Sequence, residues 1–165
     1  MREVKGKRDV VTGAGAGVGM ECEGMGAQRG KNGGLDDIQE DAVQQAEAEN
    51  KARGAKTLAR RVDVSKPPVM DLLAQHVQEA FGAPHFVFNN AGVGAGGLIW
   101  ENTVKDWEWV LGVNLWGVIN GVRAFTPMML DEARRNPAYP GHIVNTASMA
   151  GLLTPFATGD LVKAL

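Results

Sequence analysis

The stretch Val10-Val11-Thr12-Gly13-Ala14-Gly15-Ala16-Gly17-Val18-Gly19 decides the fold. A short apolar strand delivers the chain into a loop in which every second residue from Gly13 to Gly19 is glycine. Such a loop permits a tight turn and leaves the backbone open to close approach by an anion. A helix starting there would aim its first N–H groups at that anion. Taken alone, the loop fits a structural turn as well as a phosphate cradle.

Outward from the loop, strand and helix patterns alternate. Residues 37–53 place Ile38, Ala42, Val43, Ala46 and Ala48 among Gln, Glu and Lys, which predicts a polar amphipathic helix stopped by Gly54. Residues 56–64 predict a strand with Leu58, Val62 and Val64 on one face; Ser65 is the expected N-cap of a helix over 69–81, ended by Gly82. Phe86-Val87-Phe88 reads as a buried parallel strand opening into Asn89-Asn90-Ala91-Gly92. Residues 107–134 predict a long helix that Pro127 should kink or end, and after a proline-bearing turn over 136–141, His142-Ile143-Val144-Asn145 is the last strand.

Strands alternating with helices imply a parallel sheet with right-handed crossovers. The expected class is α/β, a Rossmann-like doubly wound parallel sheet of about five strands in one domain over residues 1–165. One segment resists this pattern. Residues 20–34 should supply a helix and then a strand, yet carry Gly24, Gly26, Gly30, Gly33 and Gly34. An interior glycine costs a helix about 1 kcal/mol relative to alanine, and a glycine pair leaves a strand nothing to pack. The first strand–helix–strand unit is therefore expected to be weak at its centre.

Composition narrows the function classes. A chain of 165 residues with a formal net charge of −2 presents no electrostatic footprint for nucleic acid or an anionic membrane. No apolar run approaches the ~20 residues needed to span a bilayer, and the charged start is not a signal peptide, so the cytoplasm is the expected location. Cys22 is the single cysteine, which rules out an intrachain disulfide and a cysteine-rich zinc site, and it is expected to be a small packing residue rather than a nucleophile. His76, His85 and His142 lack metal-ligand spacing, so no metal is expected. Trp107, Trp109 and Trp116 are expected to pack, and Trp100 could border a substrate pocket, though nothing in the sequence requires it.

Asp37 gives the glycine loop a ligand. It falls at the expected end of the second strand, near the ~20-residue offset at which a carboxylate accepts from an adenosine ribose. A negative charge there repels a 2′-phosphate and favours NAD over NADP. A solvated acid at a helix start would look the same, and Asp36 beside it leaves the assignment open by one residue. Asp63 ends the third strand at the same rim, where it serves adenine or simply terminates a strand. Ala91 and Gly92 are small enough to let the backbone approach a ribose or nicotinamide.

These motifs together resemble the short-chain dehydrogenase/reductases. The resemblance rests on the glycine loop, Asp63-Val64, Asn89-Asn90-Ala91-Gly92, Asn114 within Gly112-Val113-Asn114-Leu115-Trp116-Gly117, and Gly141-His142-Ile143-Val144-Asn145-Thr146-Ala147-Ser148, in the family's order and spacing from Gly6 to Thr154. It implies hydride transfer between a nicotinamide dinucleotide and a small secondary alcohol or ketone. Thr12, Gly13, Gly15, Gly17, Val18, Gly19, Asp37, Asp63, Val64, Asn90, Ala91 and Gly92 would hold the cofactor. Ser148 would hydrogen-bond the substrate oxygen, and Asn114 would shape the long helix and hold a relay water. A homo-oligomer is the assembly the resemblance allows.

The resemblance also implies a tyrosine thirteen residues beyond Ser148 and a lysine four further on, which lower the phenol pKa so that it can exchange the alcohol proton. Leu161 stands at the tyrosine position, and Gly159 stands four residues before Lys163. The sole tyrosine, Tyr139, lies upstream of the last strand. With the general acid/base absent and further strands of the family's sheet not present by Leu165, activity is expected to be impaired or lost. Two other functions stay open: a non-catalytic dinucleotide-binding remnant, and a structural partner pairing through an edge strand with a full-length relative.

Overall fold

A computed structural model describes residues 4–149. Five parallel strands form one sheet: β1 (Arg8–Thr12), β2 (Asn32–Asp37), β3 (Thr57–Arg61), β4 (Phe86–Asn89) and β5 (His142–Asn145). Their spatial order is β3-β2-β1-β4-β5. The order reverses between β1 and β4, and in an open α/β sheet that reversal leaves a crevice beyond the strands' carboxyl ends. Helices α1 (Gly17–Gln28) and α2 (Glu40–Ala52) pack on one face, and α3 (Pro67–Phe81) and α5 (Gly117–Arg135) on the other. Between them, α4 (Val104–Leu111) leads through a π-turn at Gly112–Trp116 into α5.

Alternation along each strand divides the core in two. Val10 and Val87 join Met70, Leu73, Val77 and Phe125 on the α3/α5 side. Val11 and Leu35 join Ala14 and Val43 on the α1/α2 side. The expected doubly wound sheet is present, with differences at its boundaries. Asp37 closes β2 rather than opening a helix, because α2 begins at Glu40. Pro67 occupies the first helical turn of α3, so Lys66 is the N-cap, and the Ser65 hydroxyl donates to Asp63 Oδ1 instead. Pro127 neither ends nor divides α5, which runs through it; the departure from helical period lies at the π-turn.

The glycine-rich segment does close its unit. Gly33 faces Asp9 across the β1–β2 ladder, and a Cβ there would collide with the Asp9 carboxylate. A Cβ on Gly26 would lie 3.0 Å from Lys31 Cδ and 3.2 Å from Asp9 Oδ2. The space these residues leave is filled by Asp9 and Lys31, whose carboxylate and ammonium are paired. The expected weakness at the centre of the unit thus takes a different form: the interior is packed, but with charge.

Glu23 on α1 is 3% exposed, and its Oε1 has no hydrogen-bond partner among the described residues. Asp36 is buried on the α3 side of the sheet, and neither carboxylate oxygen has a hydrogen-bond partner among the described residues. Burial pushes both carboxyls well above their ordinary range; the charge of Asp9 raises Glu23 further, while Arg60 opposes the shift at Asp36. A carboxyl raised on folding holds its proton more tightly in the native state. Its stabilisation is complete below the unfolded value near pH ~4 and is lost as pH rises through the folded value. His85 acts in the opposite sense, its pKa lowered by burial and then by Arg8 to about 4, so it removes stability as pH falls from 6.5 toward that value. Above pH ~6.5 His85 is neutral whether folded or unfolded, so the contribution of these carboxyls there has one sign: the melting temperature rises as pH falls. The Glu23→Gln, Asp36→Asn double variant should melt higher than the parent at pH ~8 and lose most of that slope; an unchanged slope would contradict the assignment.

Candidate functional site

Thr12 at the end of β1 and Asn90 just beyond β4 build the site between them. The Thr12 hydroxyl accepts from the backbone N–H groups of Asn90 and Ala91, each at 3.1 Å. The Asn90 amide donates back to the carbonyls of Thr12 (3.2 Å) and Gly13 (3.4 Å). Its Oδ1 accepts from Thr146 Oγ1 at 3.1 Å, beyond the end of β5. The ends of three strands, β1, β4 and β5, are thereby held in one plane of contacts. Neighbouring Asn89 donates to Asn145 Oδ1 at 2.8 Å, across the β4–β5 register.

The glycine loop is seated on this frame. Gly13 adopts φ +68°, and a Cβ there would come within 2.9 Å of the Ala91 Cα. A Cβ on Gly19 would run into the Gly13 carbonyl. The loop and the first turn of α1 therefore approach each other and the β4 turn at backbone distance, for which only glycine leaves room. Ala16 caps α1 without a side-chain acceptor, so no side chain at the cap satisfies the first-turn N–H groups. Gly15, Gly17 and Val18 complete the turn, with Val18 exposed.

Asp37 ties the loop to β2. Its Oδ2 accepts from the Gly15 N–H at 2.9 Å, and its Oδ1 from the Gln39 N–H at 3.0 Å. Asp63 spends Oδ1 on the N–H and hydroxyl of Ser65. Asp36, by contrast, is buried on the α3 side of the sheet, and of the two neighbouring acids Asp37 is the one that lines the crevice.

Asn114 sits at the middle of the π-turn, and π-turns commonly mark functional positions in helices. Its amide makes a closed pair with one backbone residue: Nδ2 donates to the Val93 carbonyl and Oδ1 accepts from the Val93 N–H, both at 2.8 Å. The side chain thus fixes the segment after β4 against the helix.

Two hollows open at the crevice. One, of about 260 Å³, lies among Gly13, Asp37, Asp63, Val64, Trp109 and Val113. The other, of about 200 Å³, lies among Asn90, Asn114, Asn145, Thr146 and Ser148. Ala91 and Gly92 line both. A two-chambered cleft therefore runs along the carboxyl rim, with carboxylates in one chamber and hydroxyl and amide groups in the other.

The sequence motifs converge here, with some corrections. Trp109 and Trp116 are about half exposed rather than packed, and Trp100, also exposed, lines neither chamber. Trp109 carried only a packing expectation from the sequence, although its spacing of four from Val113 puts both on one helix face. Val93 carried none, because it acts through its backbone and leaves no signal in residue type. Cys22 is partly buried, and burial raises its thiol pKa, against a nucleophilic role. Leu161, Gly159 and Lys163 lie outside the described residues.

The family model for short chain dehydrogenase matches residues 7–159. The chain belongs to the short-chain dehydrogenase family. A short-chain dehydrogenase/reductase from Burkholderia phymatum, solved in complex with NAD, is 45% identical and superposes with a TM-score of 0.92 over 99% of this chain and 57% of its own. NAD+-bound xylitol dehydrogenase is 29% identical, with a TM-score of 0.88 over 99% of this chain and 60% of its own. Among curated relatives, "C alpha-dehydrogenase" from Sphingobium sp. is 32% identical across 93% of this chain and 49% of its own. The Mycobacterium tuberculosis protein named "Probable oxidoreductase EphD" is 38% identical across 85% of this chain and 23% of its own. The chain spans about a quarter to a half of the length of these curated family members.

Asn90→Ala removes donors to two carbonyls and an acceptor for Thr146, and should destabilise the chain by about 2 kcal/mol. Asn90→Asp keeps the shape but sets a carboxylate oxygen against those carbonyls. It should melt below Asn90→Ala at pH ~7, and the gap should close toward pH ~4 as the carboxyl protonates. Equal melting of the two variants at neutral pH would contradict the clamp.

Proposed function

We propose that this chain is the dinucleotide-binding part of an oxidoreductase that acts on a secondary alcohol or ketone, and that it holds NAD without efficient turnover. The observation that carries the reading is the two-chambered cleft at the point where strand order reverses. Its shape matches a ligand of two linked halves, and the chemistry of each chamber differs as those halves do.

In the first chamber, Asp37 and Asp63 offer carboxylate acceptors to ribose hydroxyls and a base amino group, beside the apolar surfaces of Val64 and Val113. The carboxylate of Asp37 repels a 2′-phosphate, which favours NAD over NADP. At the junction, Gly13 to Gly19 bring backbone and the uncapped start of α1 toward a pyrophosphate. Thr12 and Asn90 serve by holding the loop in place, because their side chains are committed to protein partners. In the second chamber, Ser148 donates to a substrate oxygen, while Asn114 holds the wall through Val93. The bound nicotinamide would supply the hydride donor or acceptor.

Proton exchange is the step these residues do not provide. Leucine and glycine occupy the positions at which the family's tyrosine is expected relative to Ser148 and Lys163. Tyr139 does not replace it. Its hydroxyl donates to the Pro84 carbonyl at the opposite rim of the sheet, and burial pushes its pKa up to about 12. This favours a dinucleotide holder over a working dehydrogenase.

Calorimetry should show saturable binding of NADH, at least about tenfold tighter than NADPH, with the preference narrowed in Asp37→Ser. Hydride transfer with simple secondary alcohols and ketones should stay at the protein-free rate. Absence of saturable binding would favour the structural-partner function, and turnover above that control would show that another group moves the proton.

A further inference from the structure

Trp109 is an indole left half exposed at the mouth of the carboxylate chamber. It is 51% exposed while Val110, the next residue on α4, is buried in the helix's contact face. Ile38, 54% exposed, lines the same chamber from the end of β2. Two large, half-exposed apolar groups therefore line the same hollow as the carboxylates of Asp37 and Asp63, a combination that suits a flat heteroaromatic ring carrying polar edges.

The helix that carries the indole is fixed from both ends. Thr103 and Asp106 form a reciprocal capping box: Thr103 Oγ1 accepts from the Asp106 N–H at 3.3 Å, and Asp106 Oδ2 accepts from the Thr103 N–H at 2.8 Å. The π-turn that follows is locked by the Asn114–Val93 pair. Trp109 therefore stands on a braced helix of eight residues, and its exposure is not that of a loose loop.

We propose that Trp109 is the stacking wall for the adenine ring, making this chamber selective for a purine base over smaller or non-aromatic groups. The inference rests on the dinucleotide reading given above and adds a specificity residue to it. A base stacked on an aromatic side chain loses substantial affinity when the ring is removed, independently of the hydrogen bonds made at its edges.

The test uses the full chain and three ligands, AMP, NADH and nicotinamide mononucleotide, by calorimetry. Trp109→Ala should weaken AMP and NADH by about tenfold each and leave nicotinamide mononucleotide within about twofold. Trp109→Phe keeps a ring and should retain AMP affinity within about threefold. The melting temperature of the unliganded Trp109→Ala chain should stay close to the parent's, since half the indole faces solvent. Unchanged AMP binding in Trp109→Ala overturns this inference alone; equal weakening of the mononucleotide also overturns it, by showing a general loss of structure. Failure of the parent chain to bind AMP or NADH overturns the dinucleotide reading and this one with it.

Discussion

The Asn90 side chain ties together the ends of three strands, β1, β4 and β5. Parallel strands are linked by hydrogen bonds along their length, but beyond their carboxyl ends each chain departs in its own direction. Here one amide donates to Thr12 and Gly13 and accepts from Thr146, while the Thr12 hydroxyl accepts from the backbone N–H groups of Asn90 and Ala91. This fixes the glycine loop against β4 at backbone distance and sets the second chamber's wall relative to the first. Asp37 adds a fourth tie from β2. The cleft is a consequence of these links.

The same region contains the chain's principal electrostatic burden. Asp9 and Lys31 occupy volume that Gly26 and Gly33 leave open, and Glu23 is buried on α1, so charged groups share the α1 side of the sheet with its apolar core. Asp36 repeats the pattern on the other face. Helix α1 is the element that would present N–H groups to a pyrophosphate. The stability of the cofactor cradle is therefore tied to the protonation of buried acids one or two turns away, and dinucleotide binding should be felt by the whole unit through linkage.

Much of this was legible in the sequence. The glycine loop, the apolar run before Asn89-Asn90-Ala91-Gly92 and the helix–strand alternation lead to the observed sheet order, because each pattern has a direct physical cause in period or backbone freedom. The place of Asp37 at the end of β2 was legible through its offset from the loop. Residues 20–34 were misleading in a specific way: glycine content signals lost packing, whereas here the neighbouring Asp9 and Lys31 side chains fill the volume, and that depends on cross-strand register. Pro127 misled because tertiary packing carries α5 through a position that local propensity would break. Trp109 was hidden since an aromatic on a helix usually packs, and only the position of α4 beside the cleft shows that it does not.

The central claim is that one ligand spans both chambers across the Gly13–Ala91 contact. Amide hydrogen exchange with and without saturating NADH tests it most directly. Exchange should slow at Gly15 to Met20, at Ala91 to Val93 and at Thr146 to Ser148 together, with little change at Tyr139 and His85 on the opposite rim. Protection confined to one chamber, or protection at the opposite rim instead, would contradict it.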